Sequence, residues 1–390
     1  CPARRIAAPW RPGTPRRISG DRMDRSDGGR VPRSVVIGAG IVGACTALEL
    51  QRAGHAVTIV EPGDPGGEQA ASYGNGCWLS PMSVIPPAVP GLWKRVPGYV
   101  TDPLGPLAIR WSYLPRVLPW LARYLASGWT EARVQRTAHA LRAMLRDSPA
   151  LHAALAEEAG VPELIRRQGL MYVYHSRAEF EAEAMAWRVR ANTGIRWIEL
   201  SADEMRQREP ALDRRYGFGV LVEEGGHCLD PGAYVAALVE LAQAQGAALR
   251  TGRATGFRIE GGRLRAVLTD VGEVAADHAV ISAGAHSRAL AAAAGSRVPL
   301  ETERGYHAML EGVETGPRTP LMPSDGKMSI TMTRRGLRCA GQVEIAGLEA
   351  APNWRRAAIL RDHLLRSWPS GTGMSGWWRG RGPGAWWRNC

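Results

Sequence analysis

The segment that most limits what this chain can fold into is Gly38-Ala-Gly40-Ile-Val-Gly43. It follows an apolar run, Ser34-Val-Val-Ile37, and opens a helical pattern from Ile41 to Ala53 that Gly54 closes. A second apolar run, Ala56 to Val60, ends at Glu61. Strand, glycine turn, helix and acid-ended strand make a β-α-β unit that binds a dinucleotide. Gly38 makes the tight turn, Gly40 lets the backbone approach a pyrophosphate, and Gly43 lets the helix pack closely on the strand. The helix N-terminus offers unpaired N–H groups and partial positive charge to the phosphates. Glu61 accepts hydrogen bonds from ribose hydroxyls, and its charge disfavours a 2′-phosphate, which argues against NADP. The fingerprint alone serves both NAD and FAD. Residues 69–77, Gln-Ala-Ala-Ser-Tyr-Gly-Asn-Gly-Cys, are small and polar and suit a backbone passing close beside a ring system.

Length and composition set the frame. The 390 residues, 45% of them hydrophobic, are enough for two intimately packed domains. The net charge of +12 invites a nucleic-acid reading, but residues 1–33 and 351–390 carry +6 each and the stretch between is neutral. The basic residues are nearly all Arg, their excess over acids lies at the two ends, and no nucleic-acid-binding motif accompanies them, so that function is set aside. Six cysteines show no CxxC spacing and no His cluster, which argues against a metal site and for a reduced, cytoplasmic chain. No apolar run spans a bilayer; the nearest, residues 103–129, is broken by Arg110, Arg116 and Arg123. That stretch reads either as a core-facing helix or as a peripheral contact with the inner-membrane surface. Arg4-Arg5 and Arg16-Arg17 lack the apolar stretch that an export signal needs.

Along the chain, residues 1–33 read as a disordered basic arm, with Met23 a plausible start. Residues 82–100 are Pro-rich and irregular; helical patterns follow over 107–127, 131–158 and 177–191. Gly169 to His175 alternates like a strand, and Ser201 with Glu204 forms a capping box. A helix is predicted over Pro231–Gln245 and strands near 248–250, 254–259, 264–269 and 278–284. Residues 300–311 and 328–343 read as antiparallel strands and Trp354–Trp368 as a helix. The fold class is α/β: an FAD-binding Rossmann-type domain split in sequence, with an α+β substrate domain containing an antiparallel sheet. The cofactor domain takes 34–82, 227–292 and 348–368, the substrate domain 83–226 and 293–347, and 369–390 is an atypical tail.

Six blocks carry a family resemblance. They are Val35–Gly43, the Ala71-Ser72-x-x-Asn75-Gly76 segment, Asp230-Pro231, Ala279–Ser287, Glu303-Arg-Gly-Tyr-His307, and Leu337-Arg338-x-x-Gly341-x-x-Glu344. Over residues 34–368 the chain resembles the FAD-dependent superfamily of D-amino-acid oxidase, glycine oxidase and sarcosine oxidase, and it looks closest to bacterial D-amino-acid dehydrogenase. The resemblance implies that Gly38, Gly40, Ile41, Val42, Gly43 and Glu61 hold the ADP half of FAD. It places Ala71, Ser72, Asn75 and Gly76 along the flavin, Ala254 at the adenine through its backbone, and Gly284 near the pyrophosphate and ribityl chain. The implied reaction is hydride transfer from a substrate Cα–H to the flavin, giving an imine that water hydrolyses. A D-amino acid or related amine, such as glycine or sarcosine, would be the substrate, and oxygen or a quinone the acceptor. Tyr306 and His307 are the substrate-side candidates, and Arg338 the candidate ligand for a carboxylate. Each also has a structural reading, as half-buried strand residues and an edge-strand Arg. His152 and three other histidines are taken as surface residues; His227 is left undecided.

The tail departs from the family. Members carry an Arg-Pro-x-x-Pro-Asp segment and then a Gly-His-Gly-His-x-Gly turn opening a last helix. Residues 369–390 are mostly Gly, Trp and Arg instead. Read two nucleotides later, codons for residues 370–390 permit the family's closing segment, so a deletion near Pro369 with a shifted frame is the expectation. Such a chain, lacking the helix dipole at the flavin, is expected to retain FAD weakly and turn over little.

Overall fold

Val35, Val36 and Ile37 are at most 3% exposed, because their strand is covered on both faces. In this computed structural model, which describes residues 30–313 and 315–368, β1 (Arg33–Ile37) lies between β2 (Ala56–Glu61) and β14 (His278–Ile281). β10 (Ala248–Thr251) completes a four-stranded parallel sheet in the order β10-β2-β1-β14. Helix α1 (Ile41–Arg52) and the helix Pro231–Ala244 cover one face, where Ala44, Leu48, Ile59 and Leu238 are fully buried together. Leu48, Ile59 and Leu238 each stabilise the fold by about 1.5–3 kcal/mol on burial. The other face meets β11 (Ala254–Glu260), β12 (Arg263–Thr269) and β13 (Gly272–Ala275), a three-stranded antiparallel sheet.

A second, larger sheet has eight strands. Its path runs β15 (Arg304–Glu311), β18 (Gly336–Ile345), β17 (Ser329–Thr333), β16 (Leu321–Pro323), β6 (Leu170–Tyr174), β8 (Phe218–Val222) and β7 (Ile198–Ser201). β4 (Leu107–Ile109) adds to β18. A small third sheet, β3 (Trp78–Leu79), β9 (Gly226–Cys228) and β5 (Ile165–Arg166), ties the chain just after the 71–76 segment to the strand before Asp230.

Several expectations need correcting. The helix expected from 107 begins at Leu114, because Leu107–Ile109 instead extends the large sheet beside Val343–Ile345. The helix expected over 131–158 divides into Glu131–Leu145 and Ser148–Glu158, with Pro149 in the first turn of the second, where its missing N–H costs nothing. Residues 177–191 also form two helices, Arg177–Glu181 and Ala184–Asn192. The 82–100 stretch contains a short helix, Val96–Thr101. The helix Arg355–Ser367 was grouped with the cofactor domain, yet Ala357, Leu360 and Leu364 pack on Tyr306, Ala308 and Cys339 of the large sheet. The last residues of the expected basic arm are structured: Pro32 O accepts from Ala56 N, and Arg33 pairs with Asp277. The remainder of the arm and the atypical tail lie outside the described residues. The capping box forms, with Ser201 Oγ accepting from Glu204 N and Glu204 reaching back to Ser201 N.

Candidate functional site

The glycine turn sits at the C-terminal ends of the parallel strands, where open α/β sheets bind ligands. Its glycines are demanded by contact. A Cβ on Gly43 would fall 1.8 Å from Gly38 O, and one on Gly38, which has φ +104°, would fall 2.6 Å from Ser282 O. Gly40 caps α1 in extended conformation without a side-chain hydrogen bond of its own. At the helix start the Ser72 Oγ accepts from Ile41 N at 3.0 Å. Val42 lies beside it, well exposed. Glu61, 6% exposed, accepts from Ala39 N at 2.7 Å and from Gly63 N and Gln69 Nε2 at 3.3 Å each. Gly252 N donates to Glu61 O, which brings the start of β11 at Ala254 close to the end of β2. Gly284, at φ +53°, follows Ser282 and Ala283, the two residues that crowd Gly38. The arrangement fits a dinucleotide: a backbone-lined turn that a Cβ would fill, N–H groups at a helix start, and a carboxylate ending the second strand.

The 71–76 segment bridges this turn to the large sheet. Ala71 is exposed and Ser72 rests on α1. Asn75 closes a local turn, donating to Ser72 O at 2.8 Å and accepting from Cys77 N at 2.7 Å. Gly76 O accepts from Thr331 Oγ1 on β17 at 3.1 Å, and a Cβ on Gly76 would meet Ser329 Oγ at 2.5 Å. Trp78 Nε1 then donates to Thr331 Oγ1 at 3.1 Å.

That contact defines two faces of the β15-β18-β17 ladder. His307 pairs with Ala340, which in turn pairs with Ser329, while Arg338 pairs with Met309 and Thr331, so these side chains share one face. The 71–76 segment lies on it: Gly74 approaches His307, where a Cβ would come 3.2 Å from Nδ1. Burial, reinforced by the charges of Arg338 and Arg335, pushes the His307 pKa down to about 4, so its imidazole is neutral at pH 7. Arg338 is 3% exposed on an interior strand, not on a sheet edge as its structural reading had it. Its Nη1 donates to Tyr73 O at 2.8 Å and Asn75 O at 3.2 Å and lies 3.5 Å from Cys77 Sγ. Its guanidinium sits over the Tyr73 ring. Arg338 therefore grips the backbone of the 71–76 segment, a contact the sequence did not suggest.

Tyr306 points the other way. Its hydroxyl donates to Glu344 Oε2 at 2.7 Å and accepts from Asn353 N at 2.8 Å, and the ring is buried against the Arg355–Ser367 helix. Strand alternation separates it from its neighbour His307. Of the three substrate-side candidates, the structure brings His307 and Arg338 to the 71–76 segment and puts Tyr306 behind the sheet. Sequence reasoning missed Thr331, Ser329 and Trp78, since a Thr-rich strand carries no signal of what it will face. His152 is not a plain surface residue: its Nδ1 meets Tyr234 OH at 3.0 Å. His227, on β9, is 3% exposed, and burial aided by Arg166 pushes its pKa down to about 4.

Comparison with known proteins agrees with this architecture. A family profile described as "DAO: FAD dependent oxidoreductase" matches residues 33–384. A D-amino-acid oxidase of Bradyrhizobium diazoefficiens is 62% identical over 334 residues, covering 86% of this chain and 79% of that protein. A D-amino acid dehydrogenase of Paramagnetospirillum magneticum is 30% identical over 344 residues, covering 86% and 81%. Among solved structures, glycine oxidase from Bacillus cereus superposes with a TM-score of 0.61 at 18% identity, over 87% of this chain and 78% of that one. At that identity the superposition speaks for the fold, while the profile and the 62% relative place the chain: it belongs to the DAO family of FAD-dependent oxidoreductases.

Proposed function

We propose that this chain carries out the FAD-dependent oxidative deamination of a D-amino acid. The observation that carries the reading is the segment Ser72–Gly76, fastened at one end to the helix start of the glycine turn and at the other to the sheet face bearing His307 and Arg338. The 62% relative, a D-amino-acid oxidase, supplies the substrate class. FAD, when bound, supplies the hydride acceptor; the substrate leaves as an imine, which water hydrolyses.

The chain's own residues orient this chemistry. Gly38, Gly40, Ile41, Val42 and Gly43 would receive the pyrophosphate, Glu61 the ribose and the Ala254 backbone the adenine, with Gly284 beside the ribityl chain. Ala71, Ser72, Asn75 and Gly76 would line the flavin. His307, neutral at pH 7, presents an imidazole to the substrate side. Arg338 adds positive charge under the place where a carboxylate would sit while keeping the segment in position. Tyr306 is a positioning residue that acts through Glu344. On this reading 34–82 and 227–292 make the cofactor part, and the large sheet the substrate part.

Anaerobic mixing of the purified protein with D-alanine, L-alanine, glycine and sarcosine tests the proposal. Loss of the 450-nm flavin absorbance is expected with the D-amino acid. Bleaching only by glycine or sarcosine would move the protein to the other branch of the family, and a colourless protein would favour the impaired homologue.

A quinone acceptor at a membrane surface is favoured by one observation. Trp111, Leu118 and Trp129 are each more than half exposed around the helix Leu114–Ser127, which also carries Arg116 and Arg123. Apolar anchors with flanking Arg suit an interfacial contact with anionic lipid. Among the described residues no helix is long and apolar enough to cross a membrane. Co-sedimentation with anionic vesicles that Leu118→Asp abolishes would support the contact; equal sedimentation of both proteins would remove it.

A further inference from the structure

Residues 70–77, Ala-Ala-Ser-Tyr-Gly-Asn-Gly-Cys, contain one large side chain, Tyr73. A run of small residues suits passage beside a ring system, so the place taken by its single aromatic residue is informative. The Tyr73 backbone is held by the buried Arg338, which donates to its carbonyl at 2.8 Å. The side chain is held separately. Arg335, at the turn between β17 and β18, donates from Nη1 to the Tyr73 hydroxyl and from Nη2 to Glu311 Oε1 at 2.8 Å. The guanidinium groups of Arg335 and Arg338 each lie 5.8 Å from the centre of the Tyr73 ring, within cation–π range. The ring also meets the helix Pro231–Ala244, where a Cβ on Gly232 would come 3.0 Å from Tyr73 Cδ2. Tyr73 is therefore lodged where the 71–76 segment, a helix covering the parallel sheet, and the large sheet come together.

The two arginines differ in setting. Arg338 is 3% exposed, whereas the side chains of Arg335 and Glu311 are 45% and 46% exposed. Breaking the inner contact leaves buried groups without their partner. The outer chain of Tyr73, Arg335 and Glu311 exchanges its hydrogen bonds for water at little cost. A fastening of the second kind opens and recloses.

We propose that Tyr73 is a positioning residue for the cofactor: its hydroxyl, clasped by Arg335 and Glu311, keeps the 71–76 segment closed over FAD and sets how fast FAD leaves. The inference rests on the flavin-side placement of that segment given above. It adds that retention of FAD depends on a partly exposed side-chain contact as well as on the glycine turn.

The test uses the full chain loaded with added FAD. Release is followed by flavin fluorescence after dilution, and uptake by mixing FAD with FAD-free protein. Tyr73→Phe keeps the ring and removes the hydroxyl. Its FAD off-rate should rise about fivefold, as for one hydrogen bond at a partly exposed site, with the on-rate within about twofold of the parent. Tyr73→Leu also removes the ring between the two cations, and its off-rate should rise about thirtyfold. Arg335→Leu should release FAD at least as fast as Tyr73→Phe. Adding Tyr73→Phe to it should change the rate by less than about twofold, because both remove the same contact. Arg334→Leu removes a charge from the same turn, where that residue pairs with Glu163, and should keep the parental off-rate.

Tyr73→Phe with the parental off-rate overturns the proposal, and so does a lowered melting temperature of the FAD-free variant with release unchanged. Additive effects in the double variant, or an off-rate raised equally by Arg334→Leu, overturn it too. These comparisons decide even if Tyr73→Leu fails to fold. A parent that takes up no added FAD overturns the flavin-side placement together with the clasp, while variants that match a yellow parent overturn the clasp alone.

Discussion

The glycine turn and the β15-β18-β17 ladder both border the 71–76 segment, yet they are built on opposite principles. At the turn, function is carried by what is absent: no Cβ at Gly38, Gly40 or Gly43, and no side-chain cap on α1 beyond Ser72. On the ladder it is carried by side chains whose direction depends on strand alternation, so that adjacent residues Tyr306 and His307 serve different layers. A site made of backbone tolerates no added atom. A site made of side chains tolerates exchange wherever hydrogen bonds can be rebuilt.

The largest effect expected from this contrast is at Gly43. Gly43→Val drives a branched side chain into Gly38 O, and overpacking against backbone should cost about 3 kcal/mol or more. Purified protein should lack the 450-nm band and melt well below the parent; a yellow, equally stable variant would show that the turn can open and would break the comparison.

Arg338→Leu comes next. Losing the bonds to Tyr73 O and Asn75 O takes a charged donor from two partly buried carbonyls, at about 1–2 kcal/mol. Chemical denaturation and FAD titration should therefore both weaken. Loss of substrate affinity with unchanged stability would assign Arg338 wholly to the substrate.

The fold is also sensitive to pH, through His307 on the ladder and His227 on the small sheet. His227 and His307 have folded pKa values of about 4, below the ordinary 6.5. Both states are neutral above pH 6.5, so stability there is complete; between 6.5 and 4 the unfolded chain takes up protons that the fold excludes, and stability falls as pH falls. The loss by pH 4 is on the order of 1–3 kcal/mol for each histidine. His307→Gln should flatten that part of a urea-midpoint profile, and an unaltered slope would show that His307 is hydrated in the fold. Smallest is Tyr306→Phe, which should cost about 1 kcal/mol through Glu344 and Asn353 and leave KM unchanged. A tenfold rise in KM would return Tyr306 to the substrate side.

Legibility in the sequence followed the same division. Strand β1, α1 and β2 were readable to within a residue or so at each boundary, because burial on both faces demands continuous apolar runs and a glycine turn has few chemical solutions. The small sheet was invisible: two- and three-residue strands such as Trp78–Leu79 and Gly226–Cys228 have no periodicity to detect. The helix Arg355–Ser367 was readable as a helix but not as a cover for the large sheet, since an amphipathic stripe does not name the surface it meets.

From its residues alone, the chain determined the dinucleotide turn, the acid at Glu61, and the small, polar character of 71–76, because backbone clearance and strand burial are local constraints written in residue size. Tertiary structure decided the rest: that Arg338 holds that segment by its carbonyls, that Tyr306 turns away from His307, and that His227 lies buried beside Trp78. Those outcomes depend on which strands pair and in what register, and a one-residue slip sends every side chain to the opposite face.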